Sequence, residues 1–121
     1  MKLLTKEILK KLPALYSNEK NPDPVAVVKF FTPWTSWTWY ATEGEPVDAE
    51  GVSRSEFIAY KTPGEFKPVD FRFFGLVSGH EEELGYFVLS ELESVRGPFG
   101  LKIERDLYFD PTPLSKLRKA A

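Results

Sequence analysis

The sequence predicts a single α+β domain: an antiparallel sheet of about five strands, with short helices at both termini and one after the central hairpin. Three observations lead to this prediction. The 121 residues correspond to one domain by length. Short β-branched and aromatic segments recur along the chain and are separated by turn-forming residues. Strands joined by hairpins pair antiparallel, and amphipathic helices cover one face of such a sheet.

The N-terminal region predicts a helix and then a loop. A helix is expected over about residues 6–12, because Thr5 is a good N-cap and Pro13 ends a helix. Apolar residues recur at every fourth position and give this helix one apolar stripe: Leu4, Ile8 and Leu12. Residues 18–24 contain two prolines and several polar side chains, which predict a loop.

Two strands joined by a hairpin connection are predicted next. Residues 25–31 are β-branched and aromatic, which favours a strand. Residues 36–42 alternate between two faces, as the side chains of a strand do. On this alternation Trp37 and Trp39 share the face that packs under the helices, and Tyr40 lies on the opposite face.

The second half of the chain predicts the remaining strands and helices. A polar turn at 44–53 comes first, and a short strand at 56–60 follows it. An interior strand at 70–77 and a strand buried on both faces at 84–89 are joined by a charged hairpin tip at 78–83. After them we expect a helix with Ser90 and Glu93 as a capping box, a last strand at 106–109, and a C-terminal helix with Thr112 as N-cap and Pro113 in its first turn.

Composition excludes several kinds of protein. The chain has no cysteine, so a disulfide scaffold, a thiol nucleophile and a zinc site with sulfur ligands are excluded. No stretch approaches the roughly 20 apolar residues of a membrane helix, and the first residues lack the apolar run of a signal peptide. We therefore expect a cytoplasmic protein that does not associate with membranes.

The charge balance argues against non-specific nucleic-acid binding. Sixteen basic and eighteen acidic residues give a net charge of −2, whereas a domain with that activity is usually basic. Two local runs of charge are interpreted as solvated faces: the basic residues Lys2, Lys6 and Lys10, and the acidic residues Glu43, Glu45, Asp48 and Glu50. The three lysines remain a candidate basic patch for nucleic acid.

The sequence shows no recognisable catalytic constellation, so we expect a non-enzymatic protein without cofactor or metal. The single histidine, His80, excludes mechanisms built on paired histidines. Three glutamates follow it, but adjacent residues in a turn point in different directions and do not converge on a metal ion. Motifs for nucleotide binding, serine hydrolysis and zinc proteolysis are lacking. His80 and Glu81 are instead candidates for contact with a partner.

Three further residues are candidates for binding a partner. Trp34 lies in the hairpin connection, where it is either exposed or folded back as a lid. Tyr40 is available to stack on a base or a peptide if its face of the sheet is open. Arg72 interrupts an apolar strand and has three possible roles: reaching the surface, contacting an anionic ligand, or pairing with a carboxylate, which is favoured.

Six segments, taken together, resemble a known family. They are FFTP at 30–33, WTWYATE at 37–43, DFRFFG at 70–75, ELGYF at 83–87, LSELESVRG at 89–97 and IERDL at 103–107. In order and spacing they resemble a family of small bacterial proteins classified only as a domain of unknown function. Members are encoded on plasmids, phages and integrated elements, near antirestriction and conjugation genes.

The resemblance covers nearly the whole chain, residues 1–121, as one domain. Residues 50–67 are longer than the corresponding linker in many relatives and are interpreted as a variable insertion. The resemblance implies an accessory role for a mobile genetic element, with a possible antirestriction or anti-defence function, and it carries over no catalytic residue.

Two functions are predicted on these grounds. The first is an accessory binding protein that acts on a host or element protein. The alternative is a single-stranded nucleic-acid-binding module that uses exposed aromatic side chains and the basic N-terminal helix.

Overall fold

A computed structural model describes residues 1–119, and it confirms the predicted α+β class. In chain order the elements are α1 (Lys6–Lys11), β1 (Val25–Ala26), β2 (Val28–Phe31), β3 (Thr38–Asp48), α2 (Arg54–Ala59), β4 (Pro68–Ser78), β5 (Glu82–Val88), α3 (Leu89–Ser94), β6 (Glu104–Arg105), β7 (Thr112–Pro113) and α4 (Leu114–Leu117).

Five strands form one antiparallel sheet in the order β5-β4-β3-β2-β6, and β1 pairs with β7 in a small second sheet. Thr38, the first residue of β3, pairs with Phe31 on one side and with Ser78 on the other. The β2–β3 and β4–β5 connections therefore lie at the same end of the sheet.

One face of the sheet, the helix-covered face, carries the main core. Phe30 and Phe73 are fully buried there and meet edge to face, with ring centroids 5.3 Å apart. The apolar stripe of α1 packs against this cluster, and Leu92 of α3 adds to it. Thr5 caps α1 by accepting a hydrogen bond from the Ile8 N–H, as predicted.

The opposite face, here called the loop-covered face, has a smaller apolar cluster. Leu76 of β4 packs with Ala26 of β1 and Leu114 of α4, and Tyr40 lies against the same cluster. The rest of this face carries polar side chains, and a β-bulge in β3 places them there.

The bulge lies at Thr42 and changes which side chains of β3 face the core. Ala41 pairs with Gly75, but the next pair is Glu43 with Phe74, so Thr42 is the extra residue. Without it, strand alternation would place Glu43 on the helix-covered face beside Ala41. With it, Glu43 lies on the loop-covered face, and Glu45 follows it there opposite Arg72.

Two predictions about the region after the bulge were wrong. Residues 44–48, expected in a turn, continue β3. Residues 56–60, expected as a strand, belong largely to α2, because Ser53 accepts a hydrogen bond from the Glu56 N–H at 3.2 Å and begins a helix. Aromatic and β-branched side chains in this segment favoured a strand, but the local capping contact determines the structure.

The predicted capping box at the start of α3 was also wrong. Val88 occupies the N-cap position, and Ser90 makes its hydrogen bonds with Asp70 of the neighbouring strand. Asp70, 20 positions away, accepts from both the N–H and the hydroxyl of Ser90. It therefore makes the hydrogen bond to the Ser90 N–H that the prediction assigned to Glu93.

The C-terminal region differs from the prediction in a similar way. Residues 106–109 form a turn, with the last strand of the main sheet at β6 just before them. Pro113, rather than Thr112, precedes α4, and Asp23 caps this helix by accepting from the N–H and hydroxyl of Ser115.

Residues 25–31, predicted as one strand, form two short strands, β1 and β2.

Candidate functional site

The residues predicted to bind a partner do not form a single site. Trp34 is half-buried, and its indole lies directly over Gly97, where a Cβ atom would overlap the ring. Tyr40 is half-buried, and its ring centroid lies 5.8 Å from that of Phe109. Part of the surface that each side chain was expected to offer to a partner is therefore covered by the protein itself.

His80 and Glu81 are exposed at the β4–β5 tip, as predicted for a charged turn. The His80 ring meets the edge of Trp37, with centroids 5.6 Å apart. Trp37 lies just before β3, covers Gly79 and meets the ring of Trp39, with centroids 5.9 Å apart, so the two tryptophans lie side by side, as the alternation predicts. Trp39 packs against the main core.

Arg72 pairs with a carboxylate, as favoured from the sequence. Its Nη1 lies 3.3 Å from Oε1 of Glu56, and its Nη2 donates to the carbonyl of Gly51. The three lysines of the candidate basic patch, Lys2, Lys6 and Lys10, are exposed.

Metal and membrane sites can be assessed for the described residues. Within 1–119, no three His, Cys, Asp or Glu side chains are grouped so that they could hold a metal ion. No helix in that range combines the length and the apolar character needed to cross a membrane.

A cavity of about 590 Å³ lies on the loop-covered face. It lies between strands β3 to β5, the loop 16–24 and the start of α4. Its lining falls into three groups: the aromatic and apolar residues Tyr16, Phe74, Leu84, Tyr86 and Leu114; the charged residues Glu19, Asp23, Glu43 and Arg118; and small polar or proline residues that include Asn18, Pro22, Pro24, Thr42 and Ser115.

Glu43 forms the floor of the cavity and anchors the loop above it. Its side chain is only 4% exposed, although the acidic run had been interpreted as solvated. Oε1 accepts from the Tyr16 N–H at 3.0 Å, and Oε2 accepts from the Asn18 N–H at 2.7 Å. Since both oxygens act as acceptors, Glu43 binds the loop as an ionised carboxylate does.

Glu45, two residues further along β3, is similarly buried at 5% exposure. Only one of its oxygens is used: Oε2 accepts from the N–H and the hydroxyl of Ser55, at the start of α2. Oε1 is buried without a hydrogen-bond partner among the described residues. The two glutamates therefore fasten two different segments, the loop 16–24 and α2, to the same strand.

Tyr16 links the cavity to the buried polar groups around Glu56. Its backbone has φ = +72°, a left-handed conformation that is uncommon for a tyrosine. Its hydroxyl donates to Oε1 of Glu56 at 2.8 Å, the same oxygen that receives Arg72. Burial and this hydrogen bond raise the pKa of Tyr16 to about 12, while the bond from Tyr16 lowers the pKa of Glu56.

The walls of the cavity are aromatic. The rings of Tyr16 and Tyr86 have centroids 6.4 Å apart and are tilted by 59°. Phe74 and Tyr86 lie closer, at 4.8 Å with a tilt of 60°. Burial raises the pKa of Tyr86, and the nearby carboxylates of Glu43 and Glu19 raise it further.

The cavity adjoins an open edge of the sheet. Leu84 and Tyr86 belong to β5, which pairs with β4 on one side and, within residues 1–119, with no strand on the other. They are 49% and 54% exposed, so the prediction that this strand is buried on both faces was wrong. Sequence patterns could not show this, because an apolar segment looks the same in an edge strand and in a central one.

Comparison with protein families gives a match over most of the chain. The model for a protein of unknown function, DUF2958, matches residues 3–53 and 64–121. The chain belongs to the DUF2958 family. Comparisons with curated proteins and with solved structures find no match.

The match includes most of the site just described. Tyr16, Glu43, Phe74 and Tyr86 lie within the matched residues, whereas Glu56 lies in the unmatched stretch 54–63, which holds α2. In this DUF2958 protein, the cavity and the open edge are thus formed by matched residues, and α2 adds the support beneath Tyr16.

Proposed function

We propose that this DUF2958 protein is a non-enzymatic binding protein that recognises an extended segment of another protein by pairing it with the outer edge of β5. A segment added to a sheet in this way gains main-chain hydrogen bonds, and neighbouring side-chain pockets supply specificity. The open edge of β5 is the observation that carries the proposal.

β5 is the outermost strand on its side of the sheet, and its seven residues span about 24 Å. On the other side of the sheet the edge is only two residues long, at β6. Proteins commonly shorten, cover or bend a strand edge because an exposed one invites pairing. The outer edge of β5 is long, carries half-exposed apolar side chains and lies beside a cavity. These features favour pairing with a strand from a partner protein.

The backbone groups that β5 offers can be identified from its neighbours. The Phe74 carbonyl accepts from Oγ1 of Thr42 on β3 at 3.1 Å, so it points away from β5. Phe74 lies opposite Tyr86, and the N–H and C=O directions of strand residues alternate along the chain. Tyr86 and Leu84 therefore direct their N–H and C=O groups outward, where an added strand would bond them.

A protein partner is favoured over the nucleic-acid alternative by charge and by packing. The net charge is −2, and three consecutive glutamates, 81–83, lie at the start of β5. Such an edge repels a phosphate backbone and attracts a segment with basic residues. Tyr40, the expected platform for a base, is packed against Phe109.

The biological setting proposed from the resemblance is an accessory role for a mobile genetic element, with a host or element protein as the partner. A survey of the genes that surround those of DUF2958 proteins tests this part separately. Positions mainly among chromosomal housekeeping genes, far from plasmid, phage or integrated sequences, would contradict it.

The binding mode can be tested with peptides selected from a random-peptide display library and then synthesised. Leu84→Pro removes one outward N–H while the inward hydrogen bonds of β5 remain, and Leu84→Ala removes only the side chain. We expect Leu84→Pro to weaken peptide binding about tenfold or more, because main-chain bonds are lost, and Leu84→Ala to have a smaller effect.

Thermal unfolding of both variants establishes that they are folded before binding is compared. The proposal fails if no peptide is enriched, or if the selected peptides bind Leu84→Pro as tightly as the parent protein. Light scattering provides a further check: a dimer of the parent protein that Leu84→Pro dissociates would mean that β5 pairs with a second copy of this chain.

A further inference from the structure

We propose that the cavity beside β5 binds a cationic side chain, lysine or arginine, carried by the paired segment. This inference rests on the proposed function, because it assigns a ligand to the pocket next to the proposed strand. It adds a chemical class of residue that the partner must contain.

Aromatic rings surround the space that such a side chain would enter. Tyr16, Phe74 and Tyr86 present rings in tilted arrangements, with neighbouring centroids 4.8 and 6.4 Å apart. A cation that lies within about 6 Å of an aromatic centroid is attracted by the ring, most strongly where water is excluded. Leu84 and Leu114 provide apolar surface for the methylene stem of the same side chain.

The floor of the cavity provides the opposite charge. Glu43 is 4% exposed and accepts two backbone N–H bonds, but no lysine or arginine of residues 1–119 forms an ion pair with it. A buried carboxylate is normally paired with a cation, because its desolvation is otherwise uncompensated. Carboxylate oxygens can accept further hydrogen bonds besides these two.

The other charges around the cavity leave an acidic excess. Glu19 lies at the rim, and Arg118 is the one cationic residue among the described residues of the lining. Asp23 is already committed to Ser115 through both oxygens. The carboxylates of Glu43 and Glu19 add to burial in raising the pKa of Tyr86, which is consistent with a negative potential at this ring.

Strand pairing would bring the proposed side chain to this place. Leu84 and Tyr86 both line the cavity and both have outward backbone groups, by the alternation derived above. A residue of the added strand opposite Tyr86 would have its Cβ about 5 Å away on the same face. A long cationic side chain at that position reaches past the Tyr86 ring into the cavity.

The test uses a small probe that is too short to form a strand. Nα-acetyl-lysine N-methylamide is titrated into the folded protein, with the norleucine analogue as an uncharged control of similar length. Aromatic proton signals of Tyr16, Phe74 and Tyr86 are followed by NMR. We expect saturable shifts of these signals with the lysine probe and none with the norleucine probe.

Two substitutions assign the contact. Tyr86→Leu removes the ring at a half-exposed position, and we expect the lysine probe to bind about 2- to 30-fold more weakly, the range of one cation–π contact. Tyr108→Leu is the matched control, because Tyr108 is 92% exposed and is not among the residues that line this cavity. Equal binding of both probes, or unchanged lysine binding by Tyr86→Leu, overturns the proposal.

The two proposals can fail separately. If the lysine probe does not bind but selected peptides still depend on Leu84, only the cavity assignment falls. If the probe binds but no peptide depends on Leu84, the strand-pairing function falls and the cavity becomes a site for a free cation. In selected peptides, replacement of the lysine by norleucine should reduce affinity by at least as large a factor as Tyr86→Leu reduces binding of the lysine probe, because it removes the charge as well as one aromatic contact.

Discussion

Glu43 and Glu45 allow a direct test of how the loop 16–24 is held. Both glutamates lie on β3, both face the loop-covered side, and their exposures are 4% and 5%. The same isosteric substitution, glutamate to glutamine, should nevertheless lower stability much more at Glu43 than at Glu45. The difference arises because Glu43 uses both oxygens as acceptors and Glu45 uses one.

The expected magnitude follows from these hydrogen bonds. Glu43 accepts from two N–H groups, at 3.0 and 2.7 Å, and bonds to a charged acceptor contribute about 1.5–3 kcal/mol each. A glutamine keeps one neutral acceptor, worth about 1 kcal/mol, and turns its amide NH₂ toward the other donor. Glu43→Gln should therefore lower the free energy of unfolding by about 2–5 kcal/mol.

Glu45→Gln should be close to neutral. Its amide oxygen can take the place of Oε2 and keep both bonds from Ser55, while its NH₂ replaces the unpartnered Oε1. The substitution also removes a buried negative charge that forms no ion pair among the described residues. We expect a change within about 0.5 kcal/mol in either direction.

Urea or guanidinium unfolding, followed by tryptophan fluorescence, measures the free energy of unfolding of each variant and of the parent protein. Hydrogen exchange of the Tyr16 and Asn18 amides adds a local measurement, because these two N–H groups should exchange faster in Glu43→Gln only. Equal losses of stability at both positions, or a loss below about 0.5 kcal/mol for Glu43→Gln, would refute this reasoning.

Two further predictions concern a tyrosine and a pair of glycines. The pKa of Tyr16 is raised from 10.0 to about 12, so its neutral form stabilises the fold up to pH 10 and this contribution is lost as the pH rises through 12. The parent protein should therefore lose more stability between pH 10 and 12 than Tyr16→Phe does; equal losses in alkaline unfolding experiments would contradict the assignment. Gly79→Ala should lower the stability of the fold by about 1–3 kcal/mol, because the added Cβ would overlap the ring of Trp37. A Cβ at Gly85 meets no atom within 4 Å, so Gly85→Ala should be neutral. Thermal unfolding of the two variants tests this difference.

Much of the fold could be predicted because the signals were local. Thr5 and Pro13 lie at the two ends of α1, and the alternation around Trp39 marks the start of β3. Where a prediction was wrong, a distant residue usually had taken over a local role. Asp70 caps α3 from another strand, and Asp23 does the same for α4 from a loop 92 residues away.

The candidate site could not be predicted for a related reason. Its floor depends on a bulge at Thr42, and nothing in the local sequence shows which residue of a strand will be extra. Glu43 was therefore assigned to a solvated run instead of a buried anchor. Tyr16 and Tyr86 come from segments 70 residues apart, and only their shared contact with the loop-covered face brings them together.

The three tryptophans have a practical consequence for future binding studies. They lie toward the hairpin end of the sheet in three settings: Trp34 over Gly97, Trp37 over the β4–β5 tip, and Trp39 against the main core. None is among the described residues that line the cavity. The intrinsic fluorescence of this protein is thus a good reporter of folding but a poor reporter of a ligand in the cavity, and a fluorescence titration without response there carries no information about binding.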